Sequence, residues 1–260
     1  MNVRTPARRV ILLGASNLTR SFPTVVATVR QTWSEPVEIM AAMSHGRSYG
    51  QDSSVFGNKI SGIFPCALWR DLQNRQPLPT AALVTDIGND MLYGVSPNQM
   101  LDWVERCLDR LAEAGATTIV TQLPAESIER LGERRFRFFR QILFTSSTLT
   151  LADARVLVRE INERLVAIGE KRQIPVISAS ASWYGFDPIH VKRSVMRRVW
   201  PALLAAWRAM DEPLSVTPSS LWMAAYLSAL EPRDYSRFGF QRHVMQPNGH
   251  LNDGTTISIY

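Results

Sequence analysis

Residues 8–16 read Arg-Arg-Val-Ile-Leu-Leu-Gly-Ala-Ser, an apolar run that stops at a glycine and leads into a small residue and a serine. A short apolar run bounded by glycine is typical of a buried β-strand. Residues 17–33 then follow a helical pattern, in which Pro23 is tolerated near the start. The chain therefore opens with a strand, a turn and a helix, the unit from which parallel sheets are built.

Four more apolar runs indicate further strands, and helical patterns separate them. These runs lie at residues 37–43, 81–85, 117–123 and 174–178. Strands that alternate with helices form a parallel sheet covered on both faces. Right-handed crossovers and a central first strand give the flavodoxin-like strand order 2-1-3-4-5. We therefore predict an α/β protein, a three-layer α/β/α sandwich with a five-stranded parallel sheet.

The best-marked helix starts after Ser96, a suitable N-cap, because Pro97 fits the first helical position and Gln99 completes a capping box. Residues 231–260 have weak periodicity, which leaves a tail, a strand or an interface arm open. We divide the chain into a main domain, residues 1–212, and a helical C-terminal extension, residues 213–260. Further helices are predicted at residues 59–74, 127–144, 151–168, 191–210 and 221–230.

The bulk composition excludes several classes of protein. With 45% hydrophobic and 20% charged residues, the chain is ordinary for a globular protein, and it has no run of about 20 apolar residues that would span a bilayer. The net charge is +6, but the arginines are spread along the chain without a zinc-ligand or RNA-binding signature, so we expect no nucleic-acid partner. The start mimics a signal peptide, yet cleavage there would remove Ser16, so we expect a cytoplasmic protein.

The densest basic run, residues 134–140, mixes arginines with phenylalanines. We interpret it as a helix whose arginines face solvent and whose phenylalanines face the core. A sharper alternative is a cover that binds an acyl chain near the functional site, or a face that contacts a membrane surface.

Ser16, Asp187 and His190 supply the parts of a nucleophilic site. A serine hydroxyl attacks poorly unless a base removes its proton. His190 is the best candidate base, because Asp187 can accept a hydrogen bond from one ring nitrogen while the other faces Ser16. Each signal is weak alone, since a serine at this point is also a common helix N-cap. The hypothesis gains weight because Ser16 follows a predicted strand, and Asn89 follows another.

Attack on a carbonyl also requires hydrogen-bond donors for the oxyanion. Asn89 offers a side-chain amide, and Gly50 offers a backbone N–H with no side chain to block close approach. The N–H of Ser16, near a helix start, is the third candidate. Gly46 is the alternative to Gly50. Taken singly, these are ordinary turn and loop residues; their joint occurrence near strand ends favours a site.

The strings LLGASN, SYGQDS, IGNDML and DPIH, which start at positions 12, 48, 87 and 187, resemble the SGNH hydrolase superfamily, the GDSL-like esterases and lipases. The resemblance spans most of the chain. It implies that Ser16 is the nucleophile, His190 the base and Asp187 its orienting carboxylate. It also implies that Gly50 and Asn89 complete the oxyanion hole with Ser16, on a three-layer sandwich with five parallel strands.

Three features depart from this family. Ala15 stands where the family usually has aspartate, which leaves the support of the nucleophile turn open. Arg20 occupies a position that is often glycine, so it is a candidate to enter or rim the substrate pocket. The long extension, residues 213–260, is expected to cap the site, to form an oligomer contact or to do neither.

Trp183 and Tyr184 are further candidates for lining the pocket, although aromatic residues there more often only pack.

The residues together predict a serine hydrolase that cleaves small-molecule carboxylic esters, with short acyl chains, through an acyl-enzyme. We expect no cofactor and no metal, because no HExxH motif or Cys/His cluster is present. An acyltransferase or a carbohydrate O-acetyl esterase would use the same residues. A non-catalytic binding protein on a hydrolase fold is a third alternative, favoured only by Ala15 and the extension. A homo-oligomer stays open.

Overall fold

The structure is a computed structural model, which describes residues 5–33, 35–55, 57–143, 148–208 and 216–260. Within these residues, seven strands form a central sheet and four form a smaller antiparallel sheet. In chain order the strands are β1 (Arg8–Leu13), β2 (Val37–Ala42), β3 (Ser53–Val55), β4 (Asn58–Ile60), β5 (Thr80–Val84), β6 (Thr117–Thr121), β7 (Val176–Ile177), β8 (Asp234–Arg237), β9 (Phe240–His243), β10 (Gly249–His250) and β11 (Thr256–Ile259).

The central sheet has the strand order β10-β11-β2-β1-β5-β6-β7, and all neighbours are parallel except β10 and β11. The five predicted strands lie side by side in it, but the sheet has seven strands rather than five. The end of the chain adds β11 beside β2, where Thr256 pairs with Glu38 and Ile259 with Ala41. Strands of two and four residues are too short to give a clear periodic signal, so the sequence did not indicate them.

Helices cover both faces of the central sheet. They are α1 (Ser16–Thr32), α2 (Leu68–Gln73), α3 (Asn89–Leu92), α4 (Pro97–Glu113), α5 (Ala125–Glu129), α6 (Glu133–Leu143), α7 (Leu151–Arg172), α8 (Met196–Leu204) and α9 (Leu221–Ser228). Val10 and Leu12 of β1 pack with α1, α8 and α9 on one face, whereas Ile11 and Leu13 pack with α2 and α4 to α7 on the other. Burying each such side chain contributes about 1.5–3 kcal/mol, so the two apolar faces hold the helix and sheet layers together.

Two predicted helices are shorter or divided in the structure. Residues 59–74 contain only the short helix α2, because their first residues form β4 beside β3 and the chain turns around Pro65. Residues 127–144 are divided between α5 and α6, with Gly132 at the break, and residue 144 lies outside the described residues. In both places a glycine or proline interrupts the helical pattern.

The helix predicted at residues 191–210 begins only at Met196. The N–H of Val191 donates to the side-chain oxygen of Asn17 at 2.8 Å instead of entering a helix. A tertiary contact therefore decides the backbone here, and residues 209 and 210 lie outside the described part of the chain.

The basic run at residues 134–140 lies on α6. Phe136 is buried in the core, as predicted, whereas Phe138 is 50% exposed and contacts the rings of Phe139 and Phe186. The expectation that every phenylalanine of this run faces the core is therefore wrong. Neither α6 nor any other helix in the described ranges has the length and apolar character needed to cross a bilayer.

The C-terminal extension, residues 213–260, is not the helical segment that the sequence predicts. Its described part holds one short helix, α9, followed by the four strands β8 to β11. The hairpin of β8 and β9 pairs with β4, and β11 joins the central sheet. The buried guanidinium of Arg47 also donates to the backbone oxygen of Tyr260. The predicted boundary between residues 212 and 213 falls outside the described residues and stays a prediction.

The position of β11 predicts that the end of the chain stabilises the whole fold. Ile257 is fully buried beside β2, so Ile257→Ala should lower the free energy of unfolding by about 2–5 kcal/mol. Met245, in the same extension, is 77% exposed, and Met245→Ala should change it by less than about 0.5 kcal/mol. Urea unfolding followed by circular dichroism measures both, and equal small effects would show that β11 does not belong to the cooperative core.

Candidate active site

The serine of the first predicted turn lies where β1 ends and α1 begins. Ser16 is the first residue of α1 and is largely buried. Gly14 precedes it because a Cβ at this position would lie 2.7 Å from the Cγ2 of Thr85, at the end of the neighbouring strand β5. Close packing of the two strand ends therefore brings Ser16 to the carboxyl edge of the sheet, where ligands bind in open α/β folds.

Ser16, His190 and Asp187 form a continuous chain of hydrogen bonds. Nε2 of His190 lies 2.9 Å from Oγ of Ser16, and Nδ1 of His190 lies 2.6 Å from Oδ2 of Asp187. The three side chains were predicted from the sequence, and the structure brings them together. A histidine that donates Nδ1–H to a carboxylate keeps Nε2 free to accept the serine proton.

Asp187 is held in its ionised form. Burial raises the pKa of Asp187, but the hydrogen bond and charge of His190 and the N–H groups of Ile189 and His190 outweigh burial and hold the pKa below its usual value. The guanidinium Nη1 of Arg20 lies 3.6 Å from Oδ2 of Asp187, so the predicted rim arginine also faces this carboxylate. A permanently charged Asp187 is suited to stabilise a protonated His190.

The nucleophile turn is supported by a carboxylate that the sequence analysis did not select. Oδ2 of Asp86 accepts hydrogen bonds from the backbone N–H groups of Ala15, Asn17 and Leu18, at 2.9, 3.0 and 3.1 Å. The N–H of Ser16 lies between those of Ala15 and Asn17 in the chain, and it donates to no group of the described residues. Asp86 therefore supplies the support that Ala15 left open, and it leaves one N–H at the nucleophile unused.

Asn17 connects the nucleophile turn to the histidine loop. Its Nδ2 donates to Oδ1 of Asp86 at 2.8 Å and to the carbonyl of Ile189 at 2.9 Å, while its Oδ1 accepts from the N–H of Val191. Asn17 therefore holds both sides of His190 in register with Ser16. The signal for Asn17 was its place next to Ser16, and the signal for Asp86 was its place directly after the strand β5.

Asn89 begins α3 and lines the same cavity as Ser16. Its Nδ2 donates to the carbonyl of Arg47 at 3.2 Å, which leaves the second hydrogen of this amide available. The carbonyl of Gly46, the residue before Arg47, accepts a hydrogen bond from Tyr93 just after α3. The loop that approaches Asn89 is therefore the one around Gly46.

Gly50 has a different environment. Its N–H donates to Oγ of Ser48 at 3.1 Å, and a Cβ at Gly50 would lie 1.9 Å from a ring atom of Trp103 on α4. In the described part of the chain, no hydrogen bond joins Gly50 to Ser16 or Asn89. The glycine is required by its packing against the indole ring, and Gly46, the alternative from the sequence, is better situated near Asn89.

Asp90 also binds the loop that follows β2. This carboxyl group is fully buried and accepts hydrogen bonds from the hydroxyl of Ser48 and the N–H of Tyr49. Burial raises the pKa of Asp90 to about 6, although both hydrogen bonds act in the opposite direction. The interactions of Asp90 hold the loop after β2 against α3, next to Asn89.

An apolar cavity opens beside Ser16. Its lining is mainly hydrophobic and includes Trp183 and Tyr184, the aromatic residues predicted to lie near the site. Burial raises the pKa of Tyr184 well above its usual value, consistent with a phenol enclosed by apolar groups. Phe136 and Phe139 of α6, from the basic run, also line the cavity.

The site contains the groups needed for attack on a carbonyl carbon: a hydroxyl, a base with its carboxylate, and unused donors on Ser16 and Asn89. Within the described residues, no group of three histidine, cysteine, aspartate or glutamate side chains is arranged to hold a metal ion. A hydroxyl next to an imidazole–carboxylate pair can act as a nucleophile toward a carbonyl group.

Comparison with known proteins finds solved structures that are similar to this chain in fold. No protein-family model and no curated protein sequence matches the chain. A GDSL-like lipase from Bacteroides thetaiotaomicron has a TM-score of 0.50 at 13% identity, over 77% of this chain and 87% of that one. A putative acylhydrolase from Bacteroides fragilis has a TM-score of 0.49 at 11% identity, over 80% and 93%. The psychrotrophic esterase EstA from Pseudoalteromonas has a TM-score of 0.49 at 13% identity, over 77% and 99%. The chain therefore has a fold similar to that of the GDSL-like lipase, one of the group of esterases and lipases that its four sequence strings resemble.

Proposed function

We propose that this protein is a serine hydrolase that cleaves carboxylic esters through an acyl-enzyme. The observation that supports this proposal most is the chain of hydrogen bonds from Ser16 through His190 to Asp187. A helix N-cap serine needs no histidine, and a surface turn needs no carboxylate bonded to the other ring nitrogen of that histidine. The joint arrangement is explained by nucleophilic catalysis and by none of these structural roles.

In the first step, Oγ of Ser16 attacks the ester carbonyl while Nε2 of His190 takes the hydroxyl proton. The C–O bond to the alcohol then breaks, and His190 gives that proton to the departing oxygen. In the second step, water attacks the acyl-enzyme with His190 again acting as base, and the acid leaves from Ser16. The sum is one ester and one water converted to one acid and one alcohol.

The oxyanion that forms in both steps needs donors already in place. The unused N–H of Ser16 and the second hydrogen of the Asn89 amide are the donors we assign to it. For the third donor, the contacts of Asn89 favour the loop at Gly46 over Gly50. Removing one such donor typically costs about 2.7–4 kcal/mol of transition-state stabilisation.

The acyl part of the ester is assigned to the apolar cavity beside Ser16. In the acyl-enzyme this group is bonded to Ser16, so it lies in a cavity that Ser16 lines. Phe136 and Phe139 in its lining support an apolar acyl group, and we assign α6 the acyl-binding role that the sequence left as an alternative. Esters of apolar acids are therefore the substrate class that we propose.

Replacing the nucleophile should abolish activity. Ser16→Ala should lower kcat for para-nitrophenyl butyrate by about 10³-fold or more, because the acyl-enzyme cannot form. Ser54→Ala, at an exposed serine on β3, is the matched control and should retain the wild-type rate. A fluorophosphonate probe should label wild type at Ser16 by peptide mass spectrometry. Unchanged hydrolysis by Ser16→Ala, or a label on another serine, would refute the assignment.

The pH dependence should show the need for an unprotonated base. A protonated imidazole cannot accept the proton of Ser16, so kcat/KM should rise as pH increases. Asp187 does not account for this rise, because its pKa lies below the usual value. A pH profile with a neutral ester measures the rise. A flat or falling profile would exclude His190 as the base.

Asp86 should act as a positioning residue for Ser16. Asp86→Ala removes the acceptor for three N–H groups, and a displaced nucleophile should lower kcat by about 10²-fold with a smaller change in KM. Asp102→Ala, at an exposed carboxylate on α4, is the control and should leave kcat unchanged.

A second variant tests whether the kcat that Asp86→Ala loses can be recovered. Ala15→Asp, combined with Asp86→Ala, returns a carboxylate to the turn and should recover part of the lost kcat. A merely structural role for Asp86 predicts lower thermal stability without a selective loss of kcat, and then Ala15→Asp should give no recovery.

A further inference from the structure

A second cavity borders His190, and its lining is distinct from that of the apolar cavity. Ser16 lines the apolar cavity and not this one, whereas His190 lines this one and not the apolar cavity. Arg20 on α1 and His45 after β2 form part of its wall, and Leu230 from the extension forms another part. The Ser16–His190 hydrogen bond therefore joins two cavities of different character.

The cavity at His190 is basic. Arg20 and Arg193 both line it, and its described lining contains no carboxylate. Arg193 is exposed and forms no ion pair within the described ranges, while Arg20 shares the carboxylate of Asp187 with His190. Burial, followed by the positive charges of His190 and Arg20, lowers the pKa of His45, although Asp86 acts in the opposite direction. Asp187 compensates part of the charge of Arg20, whereas the charge of Arg193 is left without a paired carboxylate in the described ranges.

We infer that this basic cavity binds an anionic group, a phosphate or a carboxylate, on the alcohol part of the substrate. Arg20 and Arg193 are the cations that would hold it. The inference rests on the proposed function and specifies its substrate class: esters of an apolar acid with an alcohol that carries negative charge. Arginine is suited to this role because its planar guanidinium donates in pairs to such oxygens.

The direction of proton transfer decides which part of the ester lies in which cavity. The acyl carbon bonds to Oγ of Ser16, so the acyl chain lies on the Ser16 side. The departing alcohol oxygen takes its proton from Nε2 of His190, so the alcohol lies on the His190 side. As the C–O bond breaks, that oxygen becomes a neutral hydroxyl, and the anionic group elsewhere on the alcohol keeps its charge throughout.

This assignment also gives the C-terminal extension a role at the site. Leu227, Leu230 and Pro232 form an apolar wall of the basic cavity, opposite in character to its two arginines. An apolar wall reduces the local dielectric constant and strengthens the attraction between a bound anion and the arginines. The sequence left three possibilities for the extension: a cap over the site, an oligomer contact, or neither. Its place in the wall of this cavity favours a cap.

The test compares two matched pairs of butyrate esters. One pair is para-nitrophenyl butyrate and its analogue with a carboxylate next to the nitro group; the other is the monobutyrate of glycerol and that of glycerol phosphate. The measured quantity is the ratio of kcat/KM for the anionic ester to kcat/KM for the neutral one. The pairs separate carboxylate from phosphate recognition, and wild type should prefer the anionic ester in at least one pair.

Arg193→Gln should lower this ratio by about tenfold, and Arg193→Glu should lower it further, because a negative side chain repels the ligand. The wild-type ratio should also fall as salt is added. Arg197→Gln removes an exposed arginine four residues further along the chain and should leave the ratio unchanged. Circular dichroism checks that each variant is folded.

Two failures are distinguishable. If no ester is hydrolysed and no serine is labelled by the fluorophosphonate, the proposed function is wrong and the inference falls with it. If the neutral esters are hydrolysed but wild type shows no preference for charge, or if neither Arg193 variant lowers the ratio, the anion site is wrong and ester hydrolysis stands.

Discussion

The hydrogen bond between Ser16 and His190 joins side chains 174 positions apart in the chain, and the chemistry of the site depends on it. Neither element holds its position alone, since Ser16 lies at the first turn of a helix and His190 lies in a loop. The bond exists because both are fixed to the carboxylate of Asp86 through the backbone of α1 and through the side chain of Asn17. The network is thus one continuous set of hydrogen bonds that connects residues from both halves of the chain.

The sheet explains why such a unit forms at this edge. Parallel strands end at the same side, so the residues that follow β1 and β5 meet without a long connection. Asp86, directly after β5, has a positive φ of 58°, a conformation that non-glycine residues seldom adopt. The four hydrogen bonds that its carboxylate accepts compensate for that local strain. The residue with this backbone conformation is therefore the same one that supports the turn at Ser16.

Much of this could be predicted from the sequence, because the core strands are continuous apolar runs and the reactive residues follow them. Ser16, His190 and Asp187 were found by type and spacing. Asp86 was not, because its partners are three backbone N–H groups and the side chain of Asn17, about 70 positions away, and such a set of donors leaves no local sequence pattern.

Other features could not be predicted for a similar reason, because contacts between residues distant in the sequence decide them. The strands β10 and β11 were missed because pairing with β2, at the other end of the chain, decides their structure and their own residues are few. The packing of Gly50 against Trp103 was also not foreseen, because it depends on a helix that comes much later in the chain. Local sequence pattern predicts the helices and strands, whereas long-range contacts decide how individual residues are used.

The measurement that tests the central claim most directly is rapid-quench mass spectrometry of the wild-type protein mixed with excess para-nitrophenyl butyrate. The expected result is a butyryl group on the peptide that contains Ser16, formed in the first turnover together with an equal amount of nitrophenol. Steady release of nitrophenol with no acyl group on Ser16, or with the acyl group on another residue, would contradict nucleophilic catalysis by this serine.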